Sequence, residues 1–282
     1  MSKSAGSGSR AAELLATAQA EGTLSPEAAA AINVEDIGEQ IQAGFGVDVS
    51  DVKSSQVTLV MMMPDDSGSI RFSGRTQDVR DGHNLVLDAL SGSGSKKREG
   101  ILLYCRYLNG NQLYPFVPLD QAVRMDTHNY DPGLGTPLYD ETIVMLAAAV
   151  AKVQAFEGDG VPCRAVILII TDGADEHSPK VRGGRGTTAE NCREVITSML
   201  GTENYIIAGM GINNGTTDFR QVFLEMGIED RWIFVAGDPS QTEEENKRAI
   251  RHAFNLFSQT SERASQGGAS FTQTSAGGFG AP

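Results

Sequence analysis

In Val57-Thr58-Leu59-Val60-Met61-Met62-Met63-Pro64-Asp65-Asp66-Ser67-Gly68-Ser69, an unbroken run of apolar and β-branched residues passes into a turn rich in side-chain oxygen. Such a run reads as a strand buried on both faces, as at the centre of a parallel sheet. The carboxyl ends of strands in an open sheet border the ligand crevice, so the turn stands where a site is expected. Asp65, Ser67 and Ser69 place oxygen at alternate positions, and Gly68 allows a tight path between them. These are hard ligands, suited to magnesium or manganese and unsuited to zinc. Read alone, the segment is equally a plain turn, because Asp, Ser and Gly dominate turns for backbone reasons.

Outward from this stretch, further apolar runs occur at 101–107, 113–117, 165–170, 205–210 and 232–236. Between them, helical patterns fit 75–91, 137–156, 187–200, 216–226 and 239–262. The alternation predicts an α/β fold: a doubly wound, mostly parallel six-stranded sheet with helices on both faces. Asn109-Gly110 separates the second and third runs and signals a hairpin, so one strand is predicted antiparallel.

Two other segments strengthen the case for a site. Gly135-Thr136-Pro137-Leu138 places a hydroxyl at the entry of a long helix, and Thr171-Asp172-Gly173 places a carboxylate directly after a buried strand. Each also has a local explanation, Thr136 as an N-cap and Asp172 as a turn residue. Strand up, helix down and strand up nevertheless bring 65, 136 and 172 to one edge of the sheet.

With these residues in place, the sequence resembles the von Willebrand factor A domain, whose metal-ion-dependent adhesion site follows the pattern Asp-x-Ser-x-Ser, then Thr, then Asp. The resemblance covers residues 56–259, and the words GTPLYD and TDG are also similar to those of intracellular bacterial members, including tellurium-resistance-associated proteins. It implies a Rossmann-like fold and a metal site of Asp65, Ser67, Ser69, Thr136 and Asp172, holding Mg2+ with Mn2+ or Ca2+ as alternatives. It further implies a protein partner that supplies an Asp or Glu to the cation. The residue types agree, since neutral hydroxyls leave the cation much of its charge and so a demand for an anionic ligand.

The remaining composition bounds the function. A net charge of −13 over 282 residues argues against nucleic-acid binding, despite local clusters at Lys96, Lys97, Arg98 and at Lys180, Arg182, Arg185. No secretory leader or bilayer-length apolar run is present, which predicts a cytoplasmic protein without membrane insertion. Cys105, Cys163 and Cys192 read as buried free thiols, and His177 as an idle histidine in a mobile glycine-rich loop. Residues 1–10 are predicted disordered, 11–55 a helical N-terminal extension, and 260–282 a flexible Gly/Ser-rich tail. No enzymatic activity is expected. The main rival, a magnesium-dependent phosphohydrolase of the haloacid dehalogenase type, needs a second acid where Ser67 stands; a metal-free structural scaffold is the other alternative. P-loop and dinucleotide fingerprints are incomplete at 92–96 and 209–211.

Overall fold

β1 (Val57–Met63) is buried at every position because a parallel neighbour lies on each side of it and helices cover both of its faces. The computed structural model describes residues 7–92, 100–238 and 240–280; the basic cluster Lys96, Lys97, Arg98 lies outside the described residues. β2 (Ile101–Arg106) pairs with β1 from Thr58 opposite Ile101, and β4 (Cys163–Thr171) pairs with it from Val57 opposite Cys163. With β3 (Gln112–Pro118), β5 (Tyr205–Ile212) and β6 (Ile233–Ala236), the sheet order is β3-β2-β1-β4-β5-β6. Among the described residues only the β2–β3 pair is antiparallel, turned at Asn109-Gly110, where the Tyr107 amide donates to the Asn111 carbonyl at 2.7 Å. The chain thus builds outward from β1 in one direction, then restarts at β4 and builds in the other. The crevice at that switch point lies between the ends of β1 and β4.

The short α4 (Gly68–Phe72) follows β1, and α5 (Thr76–Gly92) packs on α9 (Glu243–Ala264) over one face of the sheet. α6 (Leu138–Gly158) and α7 (Ala189–Leu200) pack together over the other, and α8 (Phe219–Glu225) lies against β5 and β6. α6 is buried at nearly every position, including Lys152 and Gln154. The cause is the N-terminal extension, whose α1 (Ser7–Ala20), α2 (Pro26–Ile32) and α3 (Val34–Gly44) cover the side of α6 that the sheet does not. A helix covered on both sides must be apolar all round, which explains Leu146-Ala147-Ala148-Ala149-Val150-Ala151. The Lys152 ammonium donates to the carbonyls of Phe45 and Val47 at 2.7 and 2.6 Å, stitching the extension to α6. The chain then crosses the outer edge of β3, where the Val47 amide pairs with the Phe116 carbonyl at 2.9 Å. Gly46 makes that approach possible, with φ +53° and a position for Cβ only 2.0 Å from the Phe116 oxygen.

Two expectations need correction. Residues 7–10 form the first turn of α1 instead of a disordered arm, with Arg10 paired to Asp48 and set over the Phe45 ring. Residues 260–280 are not a flexible tail: α9 continues to Ala264, α10 (Gly268–Gly277) follows, Phe271 is fully buried, and Phe279 meets Trp232 edge-on at 5.1 Å. Average composition hid the fact that two aromatic anchors suffice when the rest of the domain supplies their pockets. All three cysteines are free and buried. Among the described residues, no helix is long and apolar enough to cross a membrane.

Candidate metal centre

The loops after β1 and β4 are tied together by one buried carboxylate. Asp65 Oδ1 accepts the Ser67 amide at 2.7 Å, while Oδ2 accepts the Thr171 hydroxyl at 2.8 Å and the Asp172 amide at 3.3 Å. Both oxygens of Asp65 are therefore taken by protein donors, and its role is to fix the two loops. Ser67 forms a parallel bridge with Leu134, and the Gly68 amide donates to the Leu134 carbonyl at 3.0 Å. These contacts aim three oxygens at one place: the Ser67 and Ser69 hydroxyls lie 2.8 Å apart, and they reach Asp172 Oδ1 at 3.5 and 2.5 Å.

Thr136 joins this group from the loop before α6. It is buried, and its hydroxyl lies 3.9 Å from where a Cβ on Gly173 would stand, directly beside Asp172. The hydroxyl is not an N-cap, because α6 starts at Leu138 with Pro137 in the capping position. The first helical amides are met from elsewhere, Tyr139 by Asp175 Oδ1 at 3.1 Å and Asp140 by the Ser178 hydroxyl at 3.0 Å. Thr136 Oγ1 makes no hydrogen bond among the described residues. Its backbone is held instead, the amide donating to His177 Nδ1 at 3.0 Å and the carbonyl accepting from the Glu176 and His177 amides. His177 is thus a structural partner of the site. Gly135 makes room for it, since a Cβ there would stand 2.7 Å from the imidazole ring.

Electrostatics show what the cluster lacks. Burial raises the Asp172 carboxyl to about 6, with the neighbouring Asp65 adding to the effect. Burial likewise raises Asp65, and lifts Asp66 to about 7. Among the described residues, no Lys or Arg offsets these shifts, whereas the nearby acids Asp140 and Glu141 are paired with Arg185 and Arg106. A cluster of hard oxygens, with converging hydroxyls and uncompensated buried carboxylates, fits a divalent cation. Ser67, Ser69 and Thr136 would hold such an ion, with Asp172 beside them and Asp65 bracing the loops. Among the described residues, no group of three or more His, Cys, Asp or Glu is arranged to bind a metal. The candidate depends on hydroxyls.

No family model matches the sequence, and no curated protein is similar to it in sequence. Similar solved structures do exist. The pilus adhesin SpaC from Lactobacillus rhamnosus GG, in its open conformation, superposes with a TM-score of 0.51 at 12% identity, over 74% of this chain and 30% of the adhesin. With its six-stranded order around a β1/β4 crevice, that likeness decides the architecture. The fold is that of a von Willebrand factor A domain. The vWF domain of the type V pili tip protein Mfa5 from Porphyromonas gingivalis gives a TM-score of 0.48 at 12% identity, over 73% of this chain and 95% of that domain. Proximal thread matrix protein 1 from the mussel byssus, with a zinc-occupied MIDAS motif, gives 0.42 at 13% identity, over 78% and 51%. The chain spans less than a third of the adhesin's length, and at these identities the likeness extends to the fold alone.

Several residues around the site escaped the sequence reading. Thr171 was legible in principle, since it belongs to the same Thr-Asp-Gly word as Asp172. Tyr130, whose hydroxyl donates to the Asp65 carbonyl, had no signal because it reaches the site from an irregular loop. Asp66 lay in plain view but faces away from the hydroxyls, accepting the Asn109 amide at 3.0 Å and so joining the β2–β3 turn to the site.

Proposed function

We propose that this domain is a divalent-metal-dependent protein-binding module, with Asp65, Ser67, Ser69, Thr136 and Asp172 as its metal site and without catalytic activity. The supporting observation is the convergence of the Ser67 and Ser69 hydroxyls on one oxygen of Asp172, with the Thr136 hydroxyl unused nearby and, among the described residues, no cation to balance the carboxylates. A cation held mainly by neutral hydroxyls keeps an appetite for an anion, so the partner is proposed to supply an Asp or Glu carboxylate. Magnesium is the proposed ion, because all donors are oxygen.

The phosphohydrolase alternative needs an acid at position 67, where the structure places a serine whose hydroxyl bonds to Ser69. The test uses immobilised wild type and Asp65→Ala, exposed to native-host extract with magnesium and then eluted with a chelator. Proteins released by the chelator from wild type alone are the expected result. Identical capture with the chelator present throughout, or turnover of a generic phosphoester that disappears in Asp65→Asn, contradicts the proposal.

A further inference from the structure

Of the large hydrophobic side chains exposed among the described residues, two border the metal centre and a third stands on the loop that follows His177. Phe72 is 90% exposed, and its ring lies 3.4 Å from where a Cβ would stand on Gly68, the residue between Ser67 and Ser69 that opens α4. Leu134, 57% exposed, is bridged to Ser67. Val181, 91% exposed, lies in the short turn Lys180–Arg182 that follows His177, whose ring meets Gly135. Isolated exposed apolar residues need no explanation, but a cluster beside a ligand crevice does.

The Val181 loop is built, not slack. Its ends are joined by the Gly186 amide donating to the Ser178 carbonyl at 2.7 Å, and the buried Asp140 carboxylate accepts the amides of Arg185 at 2.7 Å and Thr187 at 3.3 Å. Val181 is therefore held outward by a preformed scaffold, which lowers the ordering cost of any contact it makes. Its neighbours Lys180 and Arg182 are exposed and form no ion pair among the described residues, although the chain carries a net charge of −13. By contrast, Arg71, next to Phe72 in α4, is already paired with Asp131. A local positive rim on an acidic protein favours an acidic ligand at this one face.

We propose that the face takes a protein segment in which the metal-directed carboxylate is bordered by apolar side chains, which pack on Phe72, Leu134 and Val181, with a further acid opposite Lys180 and Arg182. This rests on the metal-binding reading above and adds what the partner must carry beyond a single Asp or Glu.

The test is a random peptide display library selected on the wild-type protein in magnesium and counter-selected on Asp172→Ala. Enriched peptides should share an Asp or Glu with an apolar neighbour and a second acid. For a synthetic representative, Phe72→Ser and Val181→Ser should each weaken binding about tenfold. Lys180→Glu with Arg182→Glu should weaken it further and flatten its salt dependence. Val123→Ser, an exposed apolar residue placed elsewhere, is the control expected to leave binding unchanged. Enriched peptides that share an acid alone, or binding indifferent to Phe72→Ser and Val181→Ser, would overturn the inference, as would failure to enrich any magnesium-dependent peptide. Calorimetric titration of the wild type with magnesium alone separates the two levels: if magnesium binds, only the partner chemistry is wrong, and if it does not, the metal reading falls too.

Discussion

At Asp172 the candidate site works against the stability of the metal-free fold. Its carboxyl is raised to about 6 by burial, above its ordinary value of 3.8, so the metal-free fold holds that proton more tightly than the unfolded chain does. The associated stability is fully present below the unfolded value and is lost as pH rises through about 6. Metal-free Asp172→Asn should therefore be more stable than wild type at pH 7.5, by on the order of 1–3 kcal/mol, with the advantage shrinking toward pH 4. Urea unfolding at both pH values in chelator checks this, and a variant less stable at pH 7.5 would refute it. Thr136→Ala makes the complementary case. Because its hydroxyl caps no helix, the substitution should change unfolding free energy by less than about 1 kcal/mol while weakening magnesium binding. Residue-scale legibility was uneven for a physical reason. Asp65, Ser67, Ser69, Thr136 and Asp172 stand next to strand ends and a helix start that periodicity marks, whereas Tyr130 and His177 act from irregular loops whose paths no local pattern encodes.

The strands and main helices were readable because β1, β4 and β5 are continuous apolar runs, and their predicted and observed limits differ by only a few residues. The C-terminal element was misread because Gly, Ser and Thr dilute the two phenylalanines that anchor it. Phe271 is fully buried beneath the Arg164 guanidinium, so Phe271→Ala should cost about 3–5 kcal/mol. Removing residues 265–282 should lower the midpoint of thermal unfolding measurably, and an unchanged midpoint would show that α10 does not hold to the domain. The N-terminal extension carries a similar expectation. Lys152→Met leaves the Phe45 and Val47 carbonyls without their donor, which should destabilise by roughly 1–3 kcal/mol. Increased hydrogen exchange confined to α3 and the chain beside β3 would locate the loss.

At the scale of the whole molecule, a switch point in a doubly wound sheet delivers residues more than a hundred positions apart to one edge, and the extensions at both termini close over the helices behind it. The topology was legible from alternation alone, because helix and strand periods differ and a crossover has one favoured hand. How the termini pack was not, since it depends on surfaces that exist only once the sheet and its helices have formed. The proposed function requires that the converging oxygens bind one divalent cation. Calorimetric titration of the metal-free protein with magnesium tests this directly. One site per chain, lost in Asp65→Ala and Asp172→Ala while both remain folded by circular dichroism, is the result predicted. An absence of binding in the wild type, or binding at full strength in both variants, would contradict it.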